Sequence, residues 1–455
     1  MWCGKRATLY AGYEGSRLRV SVLTKVYLNW FRLAGTSGVI LFSSLIGGIA
    51  TARALGVAAL GLVTIIQGIT RLLEGTVGIQ SYNTLIKLGT NAASSNRPQE
   101  FVALVKSSLL VELVSQSMSS AIAFGIIYFL GQHLGLSDDA TYWGVIAVFG
   151  SILHSTWPLA VLRIFDKFFL VSVFEVSGAL LRLFTTLVCA YFHAHPAIFL
   201  AAWLAADIIA NFSMMALATF ELRRQGYPSL FFSSATDILR SHKEFWHTIF
   251  SAKVASTLRM ITEQGDILLV GAVLGPTAVG YLRIAKTISF AVIQLAWPIH
   301  YVSGPTLTNY WSSEDFPGLM SLFKITIPMA IAISIMAFIP FYFAAPWLLT
   351  MFYGAKFAPA SDVTIVYVVS SSLTIVGFAI MPTMYAMGRS LQYMYIHVIC
   401  FVAFWLSVYL LLPHFGLLTT GIAHAIYQTI WLAIGYAIIG RGLHDMQLRT
   451  KVALR

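Results

Sequence analysis

Twelve apolar runs of about 20 residues or more divide this chain, and each is long enough to cross a hydrocarbon layer ~30 Å thick as a helix. They occupy 33–54, 57–86, 106–132, 142–163, 168–192, 197–219, 246–274, 277–304, 319–345, 361–386, 391–412 and 417–440. A segment in lipid must satisfy its own backbone hydrogen bonds, which leaves only helices and closed barrels, and runs of this length select helices. Composition agrees: 58% of the 455 residues are hydrophobic and 10% charged, whereas a soluble domain is roughly 25% charged. The expected fold is an all-α polytopic membrane protein. Pro158, Pro298, Pro328 and Pro382 fall within the runs, where neighbouring helices can satisfy the carbonyls they free.

Lys and Arg between the runs set the orientation. With the N-terminus inside, the inner segments hold twenty, and the outer loops hold only Arg53 and Lys356. Both termini are therefore expected in the cytoplasm, and the net charge of +11 reports topology rather than nucleic-acid binding. The organisation that follows is a basic segment at 1–32, a six-helix bundle at 33–220, a linker at 221–245, a second bundle at 246–440 and a tail at 441–455. Leu55-Gly56 and Gly61 after the first run match Leu274-Gly275 and Gly280 after the seventh. Pro158 and Pro382 match at nearly the same offset. An even number of spans per half makes these parallel repeats, and transporters of that kind bind substrate where the halves meet. Residues 1–34 lack the compact apolar core and cleavage site of a signal peptide. Cys3, Cys189 and Cys400 have no metal-ligand spacing.

The charges inside the runs carry the functional information. Each costs at least ~2.5–3.5 kcal/mol near a bilayer centre. In TLRMITEQGDILLVGAVLG (257–275), Arg259, Glu263 and Asp266 share a helical arc of about 60°, with Ala252, Ala255, Ser256 and Thr262 beside them. Thr64, Gln67, Arg71, Gly75, Gly78 and Tyr82 form a similar face in run two, with Glu74 at its edge. Ser172, Glu175, Arg182 and Thr186 do so in run five; Arg283, Thr287, Phe290, Gln294 and Trp297 in run eight, with Lys286 adjacent; Glu112 and Asp207 add acids in runs three and six. Together with Lys253, six bases face six acids. Buried ion pairs are poor sources of stability, so a polar cavity explains the set better than register alone: arginines hold phosphate oxygens, and carboxylates shielded from water exchange protons near neutral pH.

Single histidines in or near the runs (His154, His300, His397, His424) read as packing groups, and Trp and Tyr near the run ends read as an interfacial belt. Some aromatics could stack on sugar rings, but the sequence does not say which. No Walker motif is present, and no loop is large enough for a polymerase or ligase active site. No cofactor or metal is implied.

Six segments carry a resemblance: LGVAALGLVTIIQG (55–68), WPLAVLRIFDKF (157–168), GDILLVGAVLGPTAVGYLRIAKTIS (265–289), YGAKFAPAS (353–361), MGRSLQY (387–393) and HFGLLTTGIAHAI (414–426). In order and spacing the chain resembles the polysaccharide-transport branch of the multidrug/oligosaccharidyl-lipid/polysaccharide exporter superfamily, the Wzx-type flippases, from about 35 to 440. The resemblance implies an inner-membrane, non-enzymatic flippase. It would turn undecaprenyl-diphosphate-linked oligosaccharide for O-antigen or exopolysaccharide synthesis by alternating access, coupled to protons, and feed polymerase and chain-length machinery. On that reading Arg259, Arg283, Lys286, Arg71 and Arg182 receive the diphosphate. Glu263, Asp266, Glu74 and Glu175 couple or balance charge. Runs nine to twelve carry almost no deep charge, which assigns lipid tail rather than headgroup to the second half. The competing readings are a cation-coupled drug or metabolite exporter, a peptidoglycan-precursor flippase and a membrane polymerase or ligase. Six buried bases, a count of twelve spans rather than fourteen, and short outer loops oppose them in turn.

Overall fold

The computed structural model describes residues 4–230, 235, 238–239, 243–295, 307 and 309–453, with no side-chain description for 1–34, 36–37, 151, 251–252, 254–256, 295 and 448–453. Trp297, Pro298 and His300, the side chains of Ala252, Ala255 and Ser256, and the N-terminal basic residues therefore lie outside the described residues. All regular structure among the described residues is helical: α1 Gly4–Thr76, α2 Tyr82–Ser94, α3 Pro98–Leu130, α4 Asp138–Val148, α5 Trp157–Ile164, α6 Phe168–Tyr191, α7 Pro196–Arg224, α8 Lys243–Leu295, α9 Phe316–Tyr353, α10 Ser361–Val376, α11 Ile380–Ala386, α12 Ser390–Phe415 and α13 Leu418–Ala453, with short 3-10 turns between some of them. Nine described stretches are long and apolar enough to cross a membrane. Two of them, within α1 and α8, are each a pair of helices joined at a kink. Counting their limbs separately, and adding the interrupted segment 138–164, gives twelve crossings, as the run pattern predicts.

The kinks fall on the two glycines that the repeat pairs. Gly56 (φ 74°, ψ 179°) and Gly275 (φ 80°, ψ 176°) adopt one backbone conformation that a side chain would strain. The segments after them then cross at backbone distance. A Cβ on Gly61 would lie 1.7 Å from the Pro276 carbonyl oxygen, and one on Gly280 would lie 2.2 Å from that of Val57. Residues 276 and 280 are the repeat mates of 57 and 61, so 61 meets the mate of 57 while 57 meets the mate of 61. That reciprocity is the mark of a two-fold axis, here between the halves of one chain. Gly61→Val has only main chain to push against and is expected to cost about 1–3 kcal/mol, seen as a lower thermal midpoint of the purified protein. Gly38→Val, where nothing lies within 4 Å of the added atom, is expected to leave the midpoint unchanged.

Three runs are interrupted where unbroken helices were expected, two of them for one reason. Run two stops at Thr76 instead of 86, and Tyr82 opens the separate helix α2. Run four, expected as 142–163, is broken into α4, a turn at Ser151–Leu153 and α5. Both breaks meet at Glu112 of α3, a carboxylate only 2% exposed. Its Oε1 accepts from Ser81 N (2.8 Å), Ser81 Oγ (2.6 Å) and Thr156 Oγ1; its Oε2 accepts from Ser155 Oγ (2.7 Å), Thr156 N (2.9 Å) and Trp157 N (3.3 Å). A buried acid aimed at two helix starts supplies the acceptors that the interrupted backbone lacks. Lys253 serves the other side of the first break by donating to the carbonyls of Gly75 (2.7 Å) and Gly78. Glu112 and Lys253, expected to line a cavity, thus hold broken backbone. In the second half the matching break separates α10 from α11 ahead of Pro382, and Tyr436 Oη donates to the Val376 carbonyl (2.6 Å). Pro328 does not interrupt α9.

The two lone bases of the predicted outer loops lie near the kink end of the molecule. Arg53 Nε donates to the Phe352 carbonyl (2.8 Å) and Arg53 Nη2 to that of Met351, capping the C-terminus of α9. Lys356 follows in the turn Ala355–Ala360.

Candidate functional site

The charged faces expected from the sequence resolve into three separate places. In the first, Arg71 of α1, Arg182 of α6 and Arg283 of α8 come within electrostatic range of one another, with Glu74 and Asp207 beside Arg71. Arg182 Nη1 contacts both Asp207 carboxylate oxygens, at 3.2 and 3.1 Å, and its guanidinium stacks 5.1 Å from the Trp203 ring centre. Neither Arg71 nor Arg283 has an ion pair within 4 Å among the described residues. Arg71 and Glu74, three residues apart on one helix, are not closed to salt-bridge distance, and Glu74 is also within range of His154. Three like charges from three spans, one of them in the other half of the chain, therefore share a region in which, among the described residues, Asp207 is the one carboxylate in contact with any of them. Such an arrangement favours an anion between them. Glu175, expected on the same face, lies within range of Arg163 rather than of the three arginines, and Arg163 Nη1 donates to Tyr82 Oη at 2.7 Å.

The second place is a closed polar core in the second half. Asp266 is fully buried. Lys286 Nζ reaches its Oδ1 at 2.5 Å and the Glu263 carbonyl at 2.6 Å. Tyr367 Oη donates to Asp266 Oδ2 (3.1 Å), and His424 Nε2 lies 3.1 Å from the same oxygen. The Ile267 amide donates to Oδ1 (2.7 Å). Each carboxylate oxygen is thus matched, as a buried charge requires. Lys286, expected beside the arginines from its position on run eight, is paired with Asp266 instead. Run-based reasoning missed Tyr367 and His424. The only signal for His424 was its place in HFGLLTTGIAHAI, since one histidine on an apolar helix has no periodicity to betray it.

The third place faces open space. Arg259 and Glu263, one turn apart on α8, have side chains 67% and 47% exposed, and their nearest charged atoms are 3.9 Å apart. Across from them stand Tyr393 and His397 of α12 and Tyr427 of α13, all within range of the Arg259 charge. Among the described residues no group of three or more His, Cys, Asp or Glu is placed to hold a metal ion.

No family model matches the chain. The inner membrane protein YghQ of Escherichia coli (strain K12) is 27% identical over 259 residues, covering 56% of this chain and 72% of YghQ. Among solved structures, the lipid II flippase MurJ in an inward closed conformation superposes with a TM-score of 0.67 at 13% identity, over 94% of this chain and 91% of MurJ. An inward-facing MATE-family multidrug resistance transporter of the MOP superfamily gives 0.65 at 13% identity, over 91% and 95%. A MOP superfamily transporter from Pyrococcus furiosus, whose binding pocket is described as of reverse polarity, gives 0.59 at 12% identity, over 92% and 95%. The twelve helical crossings of this chain have the fold of the MATE transporters and of most of MurJ, and the chain is a multi-pass membrane protein.

Proposed function

We propose that this protein is a secondary-active flippase of the bacterial inner membrane. It turns undecaprenyl-diphosphate-linked oligosaccharide from the cytoplasmic to the outer leaflet, for surface polysaccharide assembly by a downstream polymerase. The observation that carries the reading is the convergence of Arg71, Arg182 and Arg283 from both halves. A diphosphate offers several oxygens to such a set, and a bidentate guanidinium holds two at once. Because Arg283 belongs to one half and Arg71 and Arg182 to the other, bound diphosphate favours the arrangement that brings the halves together around it, which is what alternating access requires of a substrate. Arg259 lies apart from these three, and Lys286 is neutralised by Asp266. Glu74 and Asp207 balance charge beside the arginines; Glu263, whose side chain is 47% exposed, and Glu175 are the acids assigned to coupling. The fold is also that of MurJ, a lipid II flippase, which makes a lipid-linked cargo compatible with this scaffold.

The test is leaflet exchange of a fluorescent undecaprenyl-diphosphate oligosaccharide in proteoliposomes, with and without a pH gradient. Arg283→Ala is expected to slow exchange by at least about tenfold, the loss of one charge-assisted contact. Gradient-driven efflux of organic cations without glycolipid exchange would replace this reading with that of a cation-coupled exporter.

A further inference from the structure

The third charged place sets one base beside one acid, and its neighbours are aromatic. His397 Nδ1 and Tyr427 Oη are 2.6 Å apart. The Tyr393 ring stands edge-on to His397 at 4.5 Å, and Tyr385 lies 5.7 Å beyond Tyr393. Trp405 packs beside Tyr427 at the edge of a small core with Phe404, Val408 and Ala423, and it approaches α8 so closely that a Cβ on Gly265 would lie 2.8 Å from its ring. The wall is partly exposed and hydrogen-bonded within itself, and it stands within range of the exposed Arg259 and Glu263. Aromatic faces with hydroxyl and imidazole edges, opposite one guanidinium and one carboxylate, offer what a sugar ring uses. The C–H faces of the sugar find flat apolar surface, and its hydroxyls find both donors and acceptors. Formal charge here is balanced, unlike the arginine region, so the wall has no preference for phosphate.

We infer that Tyr393, His397 and Tyr427, with Arg259 and Glu263, form the glycan-recognition face of the transport cavity, separate from the arginines that take the diphosphate. This rests on the flippase reading and divides its cargo between two surfaces: diphosphate at Arg71, Arg182 and Arg283, sugars on α12, α13 and the first limb of α8. The helix pair α8 carries residues of both surfaces. Runs nine to twelve, nearly free of deep charge, therefore contact sugar as well as lipid tail.

Equilibrium binding to the full-length protein in lipid nanodiscs tests the division. Two probes are compared: undecaprenyl diphosphate, and the pool of undecaprenyl-diphosphate oligosaccharides extracted from the source cells. Wild type is expected to bind the glycosylated pool at least about tenfold more tightly. Tyr393→Leu should abolish that preference while leaving affinity for undecaprenyl diphosphate unchanged, Tyr393→Phe should retain it, and Arg283→Ala should weaken both ligands alike. Should Tyr393→Leu fail to accumulate, Glu263→Gln reads the same face from an exposed position. A wild type that binds undecaprenyl diphosphate without preferring the glycosylated pool overturns the glycan face alone, as does a preference that survives Tyr393→Leu or its substitute. Binding of neither probe removes the flippase reading and this one with it.

Discussion

Asp266→Asn should destabilise the protein by about 3–5 kcal/mol, the cost of removing one member of a buried ion pair and stranding the other. Lys286 would keep its ammonium, 18% exposed, with only the Glu263 carbonyl. The new amide would present N–H donors to groups that are themselves donors, Lys286 Nζ or Tyr367 Oη. Lys286→Met alone is the milder lesion, since Asp266 keeps Tyr367, His424 and the Ile267 amide. Combining Asp266→Asn with Lys286→Met should recover much of the lost stability, because a pair replaced as a unit leaves no stranded charge. Thermal midpoints of the four proteins in nanodiscs close the cycle. Strict additivity of the two single losses would show that the pair is not coupled. Leaflet exchange in the doubly substituted protein then separates roles: activity that returns with stability makes the pair architectural, and activity that stays absent gives Asp266 a part in transport.

What the sequence displays and what it conceals divide along physical lines. The twelve crossings were legible because each must be about 20 apolar residues, a requirement that leaves a mark on every one. The internal repeat was legible at Gly56 and Gly275 because only glycine occupies that backbone conformation without strain, so the fold constraint is written in residue identity. The break within run two was not. Nothing in its local pattern reveals that Glu112, some thirty residues on, will collect the Ser81 amide. Its polar face read through Gly78 and Tyr82 as though the helix continued. Helical-face reasoning put Arg71, Arg182 and Arg283 on polar stripes, and their charges do come within range of one another. It could not separate Lys286 from them, because a stripe shows which way a side chain points and not which partner stands opposite. The roles of Tyr367, His397 and His424 were hidden for the same reason: the two histidines read only as packing groups, and what all three do lies in contacts between helices.

Glu112→Ala should be at least as damaging as Asp266→Asn, although Glu112 touches neither the arginines nor the aromatic wall. Its carboxylate accepts from six donors, and three of them are backbone amides at Ser81, Thr156 and Trp157. A buried donor left without an acceptor costs about 1–3 kcal/mol, and these amides cannot rotate toward water as the hydroxyls can. Glu112→Gln is the sharper experiment. It preserves shape and removes only charge and one oxygen, yet its amide nitrogen must face donors whichever way it is turned, so little rescue is expected. Glu112→Asp retains the charge but shortens the reach, and should fall between. Folded yield and thermal midpoint measure all three. A Glu112→Gln protein as stable as wild type would show that the breaks at 77–81 and 149–156 hold their shape without the carboxylate. The expected collapse would instead make this acid the reason that runs two and four can bend at all: an interrupted helix survives inside a bundle only where some side chain accepts the hydrogen bonds its own backbone no longer takes.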